Sequence, residues 1–437
     1  MTEIDLLLHA GWVVPVEPEG LVLEDHAVAV HDGIIEAILP SHEALARFAP
    51  RSTHHLDRHA LIPGLVNAHT HAAMSLLRGF CDDRRLMDWL QNHIWPTEQR
   101  WVSETFVRDG TLLAAAEMLR GGTTCFNDMY FFPDQAAESA RRAGIRASIG
   151  LIVIDFPSAW AATPDEYFAK GEAVHDRHRE ERSVSTAWAP HAPYSVSDAS
   201  FTRIARAAEE LDIPVHVHVH ETAQEVAESI ATYGCRPLER LARLGLLNPR
   251  LLAVHMAQLT DDEVQSVSSS GAHVVHCPEA NLKLASGFCP VHRLDQAGAN
   301  VALGTDGTAS NNDLDMFGEM RTAALIAKAV SGEATAVPAA RALHMATLAG
   351  ARALGMAHRI GSLAPGKAAD LVAVDLGSLE SQPVYSVLSQ LVYTGGRERV
   401  TDVWVGGHRV LEKRRLTRLD EAEVVATARA WKKRIAD

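Results

Sequence analysis

Cysteine is scarce in this chain, with five in 437 residues, and Cys81, Cys125, Cys235, Cys277 and Cys289 are scattered and never spaced C-x-x-C. That excludes a disulfide framework and paired-thiol metal motifs, and packed free thiols are the favoured reading even for Cys277 and Cys289. Positive charge is in deficit too. Lys and Arg number 41 against 55 Asp and Glu, a formal charge of -14 that repels phosphate backbones and anionic lipid. Nucleic acid and membrane are therefore not expected partners. No apolar run is long enough to span a bilayer, and the start, MTEIDLLLHAGWVVPVEPEG, lacks a basic segment ahead of an apolar one. A cytoplasmic protein is expected.

What is present is the composition of a globular enzyme, 47% hydrophobic and 22% charged. Eight apolar runs of strand length alternate with amphipathic stretches rich in Ala, Leu, Glu and Arg. They are LIPGLVNAHTH, GGTTCFNDMY, GIRASIGLIV, SVSTAWAPHAPY, IPVHVHVHET, RLLAVHMAQL, GAHVVHCPEAN and NVALGTDG. Such alternation predicts an α/β fold, a (β/α)8 TIM-type barrel over residues 61–361. The ends differ in texture. Residues 1–60 and 362–437 read as short alternating strands, GKAADLVAVDL and VTDVWVGGHRVL among them, which predicts a small β-sandwich domain formed by both terminal segments.

Barrel chemistry sits where strands end, and here those ends carry His69 and His71, Asp128, His191, His218 with Glu221, His255, His276 and Asp306. Histidines at i and i+2 on a strand share a face, so His69 and His71 can grip one ion. With 23 histidines in the chain, chance alone gives about one H-x-H, so position rather than spacing carries the argument. In IPVHVHVHET, His216, His218 and His220 share one face; His216 lies deeper, and His218 and His220 are nearly tied as the third ligand. Asp306, in the GTDG turn, would add an oxygen donor, or else serve only as a turn aspartate. Glu221 is the carboxylate at the loop edge that could move protons. Three nitrogens and one oxygen suit zinc, though iron, manganese or nickel could take the same donors. Zinc brings the pKa of water toward neutrality, so hydrolysis is the expected reaction class.

PGLVNAHTH, WPTE, GGTTCFNDMY, PHAPYS, HVHET, GTDGTASNNDLDM and GSLAPGKAADLV together resemble the metal-dependent amidohydrolase superfamily, in its branch of methylthioadenosine and S-adenosylhomocysteine deaminases and triazine chlorohydrolases. The resemblance spans nearly the whole chain. It implies that His69, His71, His218 and Asp306 bind a single divalent metal ion, Zn2+, which decides between His218 and His220. It further implies Glu221 as proton shuttle, His255 as hydrogen-bond partner of the attacking hydroxide, Glu98 as holder of the ribose hydroxyls, and His191 as a contact on the N3 side of the purine. Read alone, Glu98 is an ordinary helix-start glutamate. One departure is Ala280 in PEANLKL, where the family often has serine; Lys283 in that loop reads as structural.

The implied activity is hydrolytic deamination at purine C6 of 5′-methylthioadenosine or adenosine. Glu221 would deliver a proton to N1, and Asp306 would take the nucleophile's proton and pass it to ammonia. S-adenosylhomocysteine is expected to be a poorer substrate, because RASIGLIVIDFPSAW offers only Arg146 at its start and Asp155 within it. The implied partner is a small-molecule purine nucleoside, and a homo-oligomer is expected. Rival readings are a deaminase or chlorohydrolase of another heterocycle, such as guanine or a triazine, and an inactive barrel serving as a binding module.

Overall fold

In a computed structural model, which describes residues 1–436, the strands divide into two sheets of eight. The first four, β1 (Thr2–Val13), β2 (Leu23–His31), β3 (Ile34–Pro40) and β4 (Phe48–Pro63), belong to the terminal sheet. The next eight are β5 (Leu65–Thr70), β6 (Thr123–Asp128), β7 (Arg146–Val153), β8 (Val184–Pro190), β9 (Val215–Val219), β10 (Leu251–His255), β11 (His273–His276) and β12 (Asn300–Leu303). These form one parallel sheet in chain order, with helices between successive strands, as a (β/α)8 barrel requires. Every residue of β5, β6, β7, β9 and β10 is buried. Strands covered on both faces have no reason to alternate in polarity, hence the continuous apolar runs.

The seam between β12 and β5 is closed by side chains as much as by backbone. Asn67 Oδ1 accepts from the Thr305 amide at 3.0 Å and Asn67 Nδ2 donates to Thr305 Oγ1 at 2.7 Å, while the Asp306 amide donates to the His69 carbonyl at 3.1 Å. Gly304 permits that approach. A Cβ there would stand 2.8 Å from both the Cβ and the amide nitrogen of His69. The end of β12 therefore runs directly beside the first H-x-H histidine.

The terminal sheet is completed by β13 (Leu371–Asp375), β14 (Val400–Val405), β15 (His408–Glu412) and β16 (Arg415–Leu416). Its order, β16-β15-β14-β13-β4-β1-β2-β3, mixes both ends of the chain in one continuous sheet. The sheet curls until the β2–β3 turn meets the β14–β15 turn: a Cβ on Gly33 would lie 2.5 Å from the Gly406 carbonyl oxygen. Leu8, Val28, Leu371 and Trp404 pack inside the curl, and Ile4, Leu7, Ala27 and Phe48 pack on the other face. The sequence reading of short strands to the C-terminus misses the last helix, Glu421–Ala436. That helix packs on the barrel, where Trp431 Nε1 donates to Asp109 at 2.9 Å. No helix among the described residues is long and apolar enough to cross a membrane.

Candidate active site

The histidines and Asp306 converge at the C-terminal mouth of the barrel. Asp306 Oδ1 lies 3.3 Å from His69 Nε2 and 3.3 Å from His71 Nε2, and His218 Nε2 lies 3.2 Å from His69 Nε2. The opposite ring nitrogens fix the tautomers. His71 Nδ1 donates to the Met129 carbonyl at 2.7 Å and His218 Nδ1 to the His191 carbonyl at 2.7 Å, which leaves each Nε2 as a bare lone pair. His69 Nδ1 stands 2.9 Å from His216 Nε2.

Burial disfavours the charged form of His69 and His218. It pushes His69 down to about 4 and His218 well below the ordinary histidine range, with neighbouring histidines adding to the effect on His218. Burial also opposes ionisation of Asp306, but the His69 and His71 rings beside it outweigh burial and bring its carboxyl well below the usual range. Neutral lone pairs and a carboxylate oxygen packed at such distances repel one another unless a cation lies among them. Donors about 2.1 Å from a tetrahedral zinc stand about 3.4 Å apart, and three pairs here, His69–Asp306, His71–Asp306 and His69–His218, lie at 3.3, 3.3 and 3.2 Å. These nitrogen and oxygen donors suit a divalent ion, with His69, His71 and His218 forming one close group and His69, His255 and Asp306 another.

Around this cluster opens a cleft lined by both polar and apolar side chains. Glu98, His191, Glu221 and His255 all line it. Glu98 lies in the first turn of helix Trp95–Trp101 and accepts from the Tyr130 hydroxyl at 2.6 Å. Burial raises its carboxyl to about 7. His191 Nδ1 is paired with Ser195 Oγ at 2.8 Å, and burial takes its ring down to about 3. Burial and then the Asp306 charge raise Glu221 to about 8. His255 Nδ1 is held by Asn281 Oδ1 at 2.9 Å, with His255 Nε2 3.9 Å from Glu221 Oε2.

Several expected mouth residues lie elsewhere. His220 turns out of the strand line at a left-handed φ of 55° and accepts from the Leu238 amide at 3.0 Å, beside Arg236 and Glu263. Asp128 is buried and bonds Thr70 Oγ1 and the Ala72 amide, bracing the β5 end. His276 is buried but is not part of the cleft lining. Lys283 links Asp82 and Asn312, a structural tie between loops. The five cysteines are unpaired thiols.

Sequence reasoning passed over Tyr130, Asn281 and the apolar wall formed by Leu86, Trp89, Ile94, Trp95, Phe131 and Phe156. Tyr130 follows the end of β6 by two residues, so the strand-end rule could have found it. Asn281 sits beside Ala280 in the loop whose serine is missing. No local pattern marks the apolar wall, because it joins the segments that follow three different strands, β5, β6 and β7.

The Amidohydrolase family model matches residues 60–410. A 5-methylthioadenosine/S-adenosylhomocysteine deaminase from Teredinibacter turnerae is 48% identical over 434 residues, 99% of this chain and 98% of that protein. Its counterpart from Saccharophagus degradans is also 48% identical, over 99% of this chain and 97% of that one. A crystal structure of an adenosine deaminase from Xanthomonas campestris with bound zinc has 58% identity and a TM-score of 0.99, covering 100% of this chain and 99% of that one. Atrazine chlorohydrolase from Arthrobacter aurescens, at 23% identity over 98% of this chain and 99% of its own, shares the fold with a TM-score of 0.91.

Proposed function

Since the chain belongs to the Amidohydrolase family, we propose that it hydrolyses the 6-amino group of a purine nucleoside, 5′-methylthioadenosine or adenosine, releasing ammonia. The observation that supports this reading is the convergence of His69, His71, His218 and Asp306 beside a cleft that also contains Glu98 and an apolar wall. In this reading His69, His71, His218 and Asp306 hold one zinc ion. A zinc ion there supplies water acidified toward neutrality. Asp306 accepts the proton that the nucleophile sheds and passes it to the departing ammonia. Glu221, kept protonated by burial at about 8, delivers its proton to purine N1. His255 offers Nε2 to the attacking oxygen, its ring oriented by Asn281. Glu98 accepts from the two ribose hydroxyls, and His191 contacts the N3 side of the base. We take residues 1–60 with 362–437, and 61–361, as two domains, each built around one of the two sheets.

The 5′ end favours an apolar group. Among the described residues no Arg or Lys lines the cleft. Arg146 is committed to Asp370, at 2.7 and 3.0 Å, and Asp155 accepts from the Ser197 amide and the Ser200 hydroxyl. The amino-acid carboxylate of S-adenosylhomocysteine would find no cation, and an unpaired buried carboxylate costs several kcal/mol. A methylthio group needs only the wall of Ile152, Ile154, Phe131 and Phe156. Loss of adenine absorbance on the zinc-loaded protein, measured as kcat/KM for the three nucleosides, tests this. Methylthioadenosine and adenosine should lead. Equal values for methylthioadenosine and S-adenosylhomocysteine overturn the preference, and turnover of none overturns the deaminase reading.

A further inference from the structure

Three helices of this barrel begin with the pattern Thr-x-x-Glu, at Thr163, Thr222 and Thr260, and the last two use the glutamate differently. In helix Asp261–Ser270, Thr260 and Glu263 form a capping box: Thr260 Oγ1 accepts from the Glu263 amide and Glu263 Oε2 accepts from the Thr260 amide at 2.9 Å. Helix Ala223–Tyr233 has the same start, and Thr222 Oγ1 accepts from the Glu225 amide at 3.2 Å. Glu225 does not close the box. Its carboxylate reaches past the cap, with Oε2 accepting from the Glu221 amide at 2.7 Å and Oε1 from the His220 amide at 3.0 Å.

Those two amides flank the point where the chain leaves β9. Val219 ends the strand, His220 takes a left-handed φ of 55°, and Glu221 enters the cleft. A non-glycine residue in that conformation is disfavoured by about 1–2 kcal/mol and persists only where surrounding structure holds it. Glu225 is itself buried, 6% exposed, so its two bonds are not shared with bulk water. Only a carboxylate presents acceptors at both ends; glutamine would turn an N–H toward one of the two backbone N–H groups.

We propose that Glu225 is a positioning residue for the deamination, its carboxylate clamping the His220 and Glu221 amides so that the Glu221 side chain meets the ring nitrogen it protonates. The clamp rests on the assignment of Glu221 as proton donor. It acts on orientation, so it bears on kcat and leaves zinc and ground-state binding alone. A misplacement of about 1 Å at a reacting group costs about 100-fold in rate.

The experiment compares Glu225→Gln, Glu221→Gln and Thr222→Ala in the full-length zinc-loaded protein, with methylthioadenosine as substrate. Glu225→Gln is expected to retain zinc, hold KM within about twofold and lose about 10- to 100-fold in kcat. Thr222→Ala, which removes the cap of the same helix but leaves the carboxylate, is expected to lower the melting temperature with kcat within threefold of the parent. A kcat within threefold of the parent for Glu225→Gln overturns the proposal, as does a loss that Thr222→Ala reproduces in full. If Glu221→Gln is itself fully active, the assignment of Glu221 fails first, and the clamp falls with it. A measurement on the parent protein covers the case of an insoluble variant: the amides of His220 and Glu221 should resist hydrogen exchange as the barrel core does, and exchange within minutes overturns the clamp.

Discussion

Removing His218 and removing His220 should have opposite consequences, although the two rings lie two residues apart. Structural zinc sites bind with about 10–16 kcal/mol, so one ligand of four carries about 2.5–4 kcal/mol, or about 70- to 900-fold in affinity. His218→Ala deletes the Nε2 that stands 3.2 Å from His69 Nε2 and should lose affinity by that factor. His220→Ala deletes an acceptor for the Leu238 amide and a neighbour of Glu263. Stranding that buried amide costs about 1–3 kcal/mol of stability. It should leave zinc affinity within threefold of the parent. Zinc per chain, measured after equilibration in a series of chelator-buffered zinc concentrations, separates the outcomes. A His218→Ala protein that titrates with the parent's midpoint refutes the ligand assignment. A hundredfold loss in His220→Ala shows that the wrong histidine was chosen.

Glu221→Gln should keep zinc and KM and lower kcat by about 10²- to 10⁴-fold, because an amide carries no proton to N1; a drop below tenfold, read by the absorbance assay, removes that role. Glu98, raised to about 7 by burial against the opposing pull of the Tyr130 bond and the His71 charge, accepts from two hydroxyls only when ionised. KM for nucleosides should therefore fall as pH rises through a midpoint no higher than about 7, since a dication nearby lowers that midpoint. In Glu98→Gln the profile should be flat, and a parent KM that is itself flat from pH 5 to 9 contradicts the role. Arg146→Met breaks a buried bidentate pair with Asp370, whose side chains are 11% and 2% exposed, and should cost about 3–5 kcal/mol in denaturant unfolding. Arg203→Met, which loses an exposed pair with Asp165, should cost under about 1 kcal/mol. A similar cost for both, or a changed ratio of methylthioadenosine to S-adenosylhomocysteine turnover in Arg146→Met, refutes the structural assignment of Arg146.

The barrel is legible in the sequence because its strands are buried on both faces, so each appears as an apolar run that stops at a polar residue. His69 and His71 are legible for a related reason: His69 lies in β5 and His71 immediately follows its last residue, so the strand's period of two still places both rings. That period fails as soon as the chain turns away from the strand. His216, His218 and His220 should share a face, yet only His218 brings its Nε2 to the His69 Nε2 side of the cluster. His216 sits one step deeper, against His69 Nδ1, and His220 has left strand geometry with φ 55°. His255 and Asp306 also occupy left-handed positions, with φ of 75° and 62°. The residues proposed for chemistry at this mouth are aimed by such departures, so periodicity names the strand that carries a residue without giving its direction. The contacts that set direction come from afar. Asn281 orients His255 from 26 residues away, and Tyr130 holds Glu98 from 32 residues away. Glu225 is the exception among the orienting residues, because the Thr-x-x-Glu spacing that places it is local. Its use is not local to the pattern, since the same four-residue pattern at Thr260 closes on itself. The difference lies in the left-handed turn just before Thr222, which brings the His220 and Glu221 amides within reach of both carboxylate oxygens.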